Sequence, residues 1–293
     1  MRLKRALTIV IIITVVFILL VTATGIVGAR ENKKLVVTEY SVKNEKIPNT
    51  FNGFRIVQIS DFHNPEDAEF VNRIVDKVKE CNPDIIAVTG DLIDSRNTRI
   101  DIALDFMEKI KDFAPVYYVT GNHEGRITEY QRLENGIEAL EISVLENECV
   151  ELEKDGKIIN LVGLQDPVFN SEKGIGGKRI LSRWIREIGI DRSHYTVLLE
   201  HRPEYCAAFE TQKIELALTG HAHGGQVRLP FIGGLFSPGQ GLLPEYDGGM
   251  YELDGTTMIV SRGIGNSAFP VRINNPPEIV VVTLEKTENV TAE

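Results

Sequence analysis

The stretch Arg55-Ile56-Val57-Gln58-Ile59-Ser60-Asp61-Phe62-His63 decides how this chain is read. β-Branched apolar residues fill it as far as Ser60, which is strand composition. It stops at two residues that carry lone pairs, Asp61 and His63. The figure then recurs. Residues 84–89 (DIIAVT) run into Gly90-Asp91-Leu92-Ile93-Asp94, and residues 116–120 (VYYVT) run into Gly121-Asn122-His123-Glu124. Between these strands, residues 68–80 carry Phe70, Val71, Ile74, Val75 and Val78 at helical spacing, and 100–110 read likewise. Strand–helix–strand alternation implies parallel strands joined by right-handed crossovers. In such sheets ligands collect beyond the carboxyl ends of the strands, and each polar cluster lies at that end.

Two later runs repeat the figure. Residues 195–199 lead to Glu200-His201-Arg202-Pro203, and 214–219 lead to Gly220-His221-Ala222-His223-Gly224-Gly225. Alternate side chains of an extended segment share a face, so His221 and His223 can enter one small volume. Imidazole ligates borderline divalent metals, although an isolated His-x-His fits a surface turn equally well. Placement tips the balance: of six histidines, His63, His123, His201, His221 and His223 follow apolar runs, and His194 alone reads as a loop residue. The second half is otherwise richer in strands, at 142–145, 149–152, 158–164, 258–260 and 279–284. Helices are predicted at 127–140 and at 180–188 around Trp184. Residues 224–249 read as a long loop or a set of short hairpins.

The 293 residues carry a net charge of −10, which argues against a non-specific nucleic-acid binder. Residues 6–29 hold no charge, a length that spans a bilayer core as one helix. Arg2, Lys4 and Arg5 precede it, so a cytoplasmic N-terminus and an extracytoplasmic catalytic domain are expected, although Arg30, Lys33 and Lys34 weaken the charge asymmetry. A cleaved signal peptide ending near Val27-Gly28-Ala29 is the alternative, but the apolar run is longer than a signal core. The expected organisation is an anchor at 1–29, a linker and first strand at 30–50 (strand at 35–42), a catalytic domain at 51–286 and a polar tail at 287–293. Cys81, Cys149 and Cys206 form no C-x-x-C pair and read as buried or half-buried thiols.

The ordered set Asp61-x-His63, Gly90-Asp91-x-x-Asp94, Gly121-Asn122-His123-Glu124, His201 and Gly220-His221-x-His223 resembles the calcineurin-like metallophosphoesterase superfamily, over residues 54–285. The segments 224–226 and 261–267, with Pro270 and Arg272, look like its membrane-associated bacterial branch, which includes phosphodiesterases similar to UDP-diacylglucosamine hydrolases. The resemblance implies a four-layer α/β/β/α sandwich of two mixed sheets flanked by helices, here preceded by one transmembrane helix. It implies two divalent metal ions, with Asp61, His63 and His223 on one, Asn122, His201 and His221 on the other, and Asp91 bridging. It leaves His123 beside the substrate as general acid, oriented by Asp94, with a metal-bridging hydroxide as nucleophile. The chemistry of the residues agrees: closely spaced cations need an anionic bridge, and two carboxylates leave the centre positive enough for a phosphate. A nitrogen and oxygen donor set fits Mn²⁺, Fe²⁺/Fe³⁺ or Zn²⁺.

The expected partner is a phosphoester, a lipid-linked or envelope diester or pyrophosphate being favoured by the anchor. A phosphomonoesterase or protein phosphatase on the same fold is the alternative, and a non-catalytic scaffold is disfavoured because no ligand is missing. Several residues have a second reading. Asp94 fits a helix cap, Glu124 a supporting or surface residue, and Arg202 and Arg262 either phosphate contacts or salt bridges. Cys206 fits the core. Leu229, Phe231, Ile232, Leu235, Phe236, Leu242 and Leu243 fit the packed core of a hairpin, the favoured reading, with an apolar lip for acyl chains as the alternative.

Overall fold

Successive side chains of a strand point to opposite faces, and in the central strands of this protein both faces are apolar and both are covered. In the computed structural model, β2 (Phe54–Ile59) and β3 (Ile85–Thr89) turn Ile56, Ile85 and Ala87 to one side and Val57, Ile59, Ile86 and Val88 to the other, all buried. Such strands need cover on both sides. The structure describes residues 2–170, 172, 174–266 and 271–287, without the side chains of 2–4, 6, 10, 20, 21, 23 and 26.

The first half contains α1 (Arg2–Glu31), β1 (Val36–Asn44), β2, α2 (Ala68–Glu80), β3, α3 (Ile100–Ile110), β4 (Val116–Val119), α4 (Tyr130–Ala139) and β5 (Ser143–Val144). The second contains β6 (Glu148–Lys154), β7 (Lys157–Gly163), α5 (Gly177–Ile188), β8 (Thr196–Leu199), α6 (Cys206–Thr211) and β9 (Leu216–Thr219). Two short ribbons follow, β10 (Arg228–Leu229) with β11 (Gly233–Gly234) and β12 (Phe236–Ser237) with β13 (Gly241–Leu242). The last strands are β14 (Gly249–Glu252), β15 (Thr257–Val260) and β16 (Glu278–Lys286).

Two six-stranded mixed sheets result, ordered β1-β16-β2-β3-β4-β5 and β14-β15-β9-β8-β7-β6. One apolar cluster lies between the sheets, joining Ile56, Ala87 and Val282 to Leu161, Val197 and Leu218. A second packs α2, α3 and α4 on the outer face of the first sheet through Ile74, Phe106 and Ile137. A third packs α5 and α6 on the second sheet through Leu181, Ile185 and Phe209. The mixed sheets with helices on their outer faces agree with the expected fold class. The carboxyl ends of β2, β3, β4, β8 and β9 meet at one end of the sandwich.

Several local readings are corrected. The helix predicted from 127 begins at Tyr130, because Glu124–Arg126 form a 3-10 turn instead. α6 and β14 were not foreseen. Asp94 caps no helix, since α3 starts at Ile100 with Arg99 at its N-cap. The apolar residues of 229–243 do not form a packed hairpin core: Phe231, Ile232, Leu242 and Leu243 are all exposed. No helix among the described residues is long and apolar enough to cross a membrane, so the expected N-terminal span has no support there. Positions 6, 10, 20, 21, 23 and 26 of that span lie outside the described side chains. Residues 288–293 of the expected polar tail also lie outside the described residues.

The described apolar side chains along α1, among them Ile13, Phe17 and Leu19, stand exposed. Its last turn is docked: a Cβ added to Gly28 would lie 2.1 Å from Val271 Cγ1, and the Arg272 amide donates to Asn32 Oδ1 at 3.1 Å.

Candidate metal centre

Five of the seven ligand-bearing residues share a backbone feature that no strand supplies. Asp61, His63, Asp91, His221 and His223 all have positive φ, between 48° and 65°. Asp and His reach this left-handed region at lower cost than most residues, but the conformation persists only where surroundings impose it. Here adjacent strand ends fasten each other. The Asp61 amide donates to Gly90 O at 3.0 Å, the His63 amide to Asp91 O at 3.0 Å, and the Gly220 amide to His201 O at 2.9 Å. Two glycines make this approach possible. Gly90 has φ +86°, and a Cβ there would lie 2.7 Å from His201 Nδ1; a Cβ on Gly220 would lie 1.8 Å from Ser60 Oγ.

The side chains converge accordingly. Asp61 Oδ1 is 3.2 Å from His223 Nε2, and His223 Nε2 is 3.2 Å from His63 Nε2. Asp91 Oδ2 is 3.2 Å from His201 Nε2, 3.8 Å from His63 Nε2 and 3.9 Å from His123 Nε2. Asp61, His63 and His223 form one group whose ligand atoms lie within 4.8 Å of one another, and Asp91, His201 and His221 form another. Asp91 therefore stands between the two groups, and all six side chains are buried.

Burial dominates the titration of these residues. It pushes His63 down to about 4 and holds His221 and His223 well below the imidazole range. It raises Asp61 to about 6. It would raise Asp91 as well, but the His201 imidazolium outweighs it and holds Asp91 well below the carboxylate range, while burial, which would lower His201, is outweighed by the Asp91 carboxylate and His201 stands well above the imidazole range. The neutral imidazoles of His63, His221 and His223 beside carboxylates belong to the donor set a divalent cation requires, and His201 would join them by releasing its proton as the cation binds.

The residues fit such cations on a second count. Asn122 Oδ1, His201 Nε2 and His221 Nε2 are buried without a hydrogen-bond partner among the described residues. Buried polar atoms in folded proteins are rarely left so, and His63 and His223 turn ring nitrogens toward each other at hydrogen-bond distance. A cation among these atoms would satisfy them.

Residues behind the ligands set their direction. His201 Nδ1 lies 2.8 Å from Thr89 O, which makes that nitrogen the donor and turns Nε2 inward. Ser60 Oγ donates to Asp61 Oδ2 at 2.7 Å. Glu124, buried, accepts from the amides of Gly121, Asp91 and Ile93 at 2.7, 3.0 and 3.2 Å, and so ties the β3 and β4 ends together. Glu204 Oε1 faces His221 Nε2 at 3.7 Å, and neither oxygen of Glu204 has a hydrogen-bond partner among the described residues. Arg272 Nη2 lies 3.4 Å from His223 Nδ1.

His123 belongs to neither group but forms a third cluster with His63 and Asp91, its ligand atoms also within 4.8 Å of theirs. Its amide donates to Asp91 Oδ1 at 2.8 Å. Its Nδ1 faces the Ser95 amide at 3.0 Å and Asp94 Oδ1 at 3.4 Å. The amide can only donate and is the nearer, so in the neutral ring Nδ1 accepts and the proton sits on Nε2, toward Asp91. Burial lowers the His123 pKa, while Asp94 and the Asp91 carboxylate outweigh it, for a net rise. Asp94 also holds Arg96 through two contacts, at 3.0 and 2.8 Å.

Two clefts open at this end. One of about 200 Å³ is lined by Asn122, His123, His221 and His223 with Arg96 and Arg126. Another of about 430 Å³ runs from His63 and Asp94 to Ala29, Asn32 and Lys33 at the end of α1. Arg202 does not enter the centre, since it is engaged by Asp166 through Nε at 2.5 Å and Nη2 at 3.1 Å. Arg262 pairs with Glu278 at 2.8 Å, and Cys206 lies in the core. Both arginines thus follow the salt-bridge reading. Glu204, Ser95, Arg96 and Arg126 carried no signal in the sequence; only their neighbourhood in space marks them.

The profile of the family described as calcineurin-like phosphoesterase matches residues 54–225. The chain is 30% identical over 276 residues to the uncharacterized metallophosphoesterase YkuE of Bacillus subtilis, covering 88% of each chain. It is 29% identical to a transmembrane protein with metallophosphoesterase domain from Danio rerio, covering 92% of this chain and 62% of that relative. The crystal structure of TT1561 of Thermus thermophilus superposes at a TM-score of 0.51 over 72% of this chain and 90% of the other, with 14% identity, a likeness of fold. The finer resemblance to UDP-diacylglucosamine hydrolases rests in part on Ser267 and Pro270, which lie outside the described residues.

Proposed function

This chain belongs to the calcineurin-like phosphoesterases, and from that premise we propose that it hydrolyses a phosphodiester or pyrophosphate at a two-cation centre. Asp61, His63 and His223 hold one ion, Asn122, His201 and His221 the other, and Asp91 lies between. The carrying observation is the convergence of buried ligand side chains from five strand ends, with ligand atoms of Asn122, His201 and His221 that have no hydrogen-bond partner among the described residues. Bound there, Mn²⁺, Fe²⁺/Fe³⁺ or Zn²⁺ would supply Lewis acidity toward the phosphoryl oxygens and lower the pKa of water.

The protein's own groups do the rest. Protonated on both ring nitrogens, His123 can pass its Nε2 proton to the leaving oxygen and keep the other on Nδ1, where Asp94 Oδ1 at 3.4 Å stabilises the charged ring. Arg126 lines the same cleft, which favours an anionic substrate, while the Arg96 guanidinium is held by Asp94. Neutral Asn122 adds a ligand without adding repulsion. Measuring bound metal and the hydrolysis of bis-nitrophenyl phosphate tests this reading, and full metal with full activity in Asp91→Asn would overturn it.

We also place α1 in a lipid bilayer, with the catalytic domain on the extracytoplasmic side. Its support is the uncharged run 6–29, the apolar side chains exposed around α1 and the word transmembrane in the name of the Danio rerio relative. A helix apolar on all sides requires an apolar surround. Such a site, with a cleft reaching the end of α1, suits a lipid-linked phosphoester. Protease protection of the domain in sealed cells is the measurement; cleavage only after lysis would reverse the assigned side.

A further inference from the structure

The two ribbons between His223 and β14 expose apolar side chains that the fold does not need. Phe231 is 109% exposed, Leu242 80% and Leu243 63%, and Ile232, Phe236 and Leu229 follow. Two of these residues are also conformationally costly. Phe231 has φ +66° and Leu243 φ +53°, a backbone region in which glycine or asparagine sits far more easily than a bulky apolar residue. Packing explains neither residue, since both side chains point into solvent. Clustered exposed apolar side chains on a soluble surface mark a contact with something apolar.

The position of the ribbons identifies that surface. Their inner side belongs to the catalytic cleft: Pro238 lines it beside His221 and His223, and a Cβ on Gly239 would lie 3.5 Å from His221 Nε2. Their root is tied to the end of α1. Val227 bridges Ile273, the Arg228 amide donates to Ile273 O at 2.9 Å, and the Ile273 amide donates to Gln226 O at 3.2 Å. The neighbouring Arg272 amide binds Asn32, and Val271 packs on Gly28. One short segment, 271–273, thus joins the last turn of α1 to the ribbon root. By strand geometry the tip at Phe231 lies within roughly 20 Å of Asn32.

We propose that the ribbons are a second membrane contact. Their rim of Leu229, Phe231, Ile232, Phe236, Leu242 and Leu243 dips into the bilayer beside α1, and the metal centre between them faces the membrane plane. The partner is a lipid surface, and the substrate class is a phosphoester whose apolar part stays in that bilayer. The inference rests on the reading of α1 as a bilayer helix and of the site as a phosphoesterase. Interfacial insertion of apolar side chains to the headgroup–acyl boundary is the physical basis.

The full chain is reconstituted into phosphatidylcholine–phosphatidylglycerol vesicles, with and without bromine on the acyl chains. Phe231→Trp and Leu242→Trp are made in a Trp184→Phe background, and the unaltered chain, with Trp184 on α5, is the reference. The expected result is loss of emission from the tryptophans at 231 and 242 and none from Trp184. Unquenched ribbon tryptophans overturn the proposal, as does equal quenching of Trp184. If quenching is absent and light scattering shows a dimer that Phe231→Asp dissociates, the rim is a contact between two copies and the proposal falls. Hydrolysis of bis-nitrophenyl phosphate by the same samples separates the two readings. Intact hydrolysis without quenching overturns the membrane contact alone, while quenching without hydrolysis overturns the phosphoesterase reading alone.

Discussion

Removing the carboxylate of Glu124 should damage this protein more than removing any exposed acid. Its two oxygens accept from three buried amides, those of Gly121, Asp91 and Ile93. In Glu124→Ala all three lose their acceptor. A buried amide without a partner costs about 1–3 kcal/mol, which sets an upper range of about 3–9 kcal/mol for three. Water entering the space recovers part of this, so a net loss of about 3–5 kcal/mol is expected. Glu124→Gln keeps one carbonyl acceptor but turns an NH₂ group toward an amide, and should fall about midway. The effect reaches the metals, because Gly121 and Asp91 flank or supply ligands; a drop of about 10–100-fold in metal affinity is expected, as for other residues that orient ligands. Urea unfolding of the metal-free full chain in detergent gives the first quantity, and calorimetric titration with Mn²⁺ gives the second. A stability loss below about 1 kcal/mol together with unchanged metal affinity would refute the reasoning, since it would mean the three amides find other partners.

Other perturbations separate the remaining parts. Arg202→Met leaves the buried Asp166 carboxylate unpaired and should cost about 3–5 kcal/mol; adding Asp166→Asn should recover much of it in thermal unfolding. Gly90→Ala combines φ +86° with a Cβ 2.7 Å from His201 Nδ1, so metal analysis should show less than the full complement and unfolding should move to lower temperature. Chelation should abolish hydrolysis and lower the unfolding temperature, and Mn²⁺ or Zn²⁺ at a thousand times its Kd should restore about 4 kcal/mol per site. Glu204→Gln should leave the fold intact but weaken metal binding at the His221 side, read as a change in one of two calorimetric binding steps.

The ligand residues were legible because of where they stand. Asp61, Asp91, Asn122, His201 and His221 each terminate an apolar run, and strand ends are recognisable in sequence even when their pairing is not. Asp94 and His123 were legible as neighbours but not in detail: the Ser95 amide, at 3.0 Å against 3.4 Å for Asp94, is the nearer partner of Nδ1, and a backbone donor leaves no trace in composition. Glu124 was marked by its place beside Asn122 and His123, although its hold on the Asp91 and Ile93 amides was not; Glu204 and Arg126 act through contacts with chain distant in sequence or through a cleft, so no local pattern marks them. α6 has only six residues, too few for a helical period to show. The ribbons of 229–243 misled in the other direction, since apolar composition predicts burial and here the apolar rim is exposed.

The first sheet has one more consequence, which concerns the order in which the chain is made. β16, the last strand, lies between β1 and β2 and pairs with both, parallel to one and antiparallel to the other. A growing chain therefore holds β1 and β2 apart, each with an open edge, until residue 286 is available. Pairings across some 240 positions form slowly, and an unpaired apolar strand invites association with other chains in the meantime. If the first helix is held in a membrane, as proposed above, that tether would limit encounters with neighbours while the gap stands open. Loss of even the final strand would then do more than shorten the protein: it would leave the interior of the first sheet without its closing member.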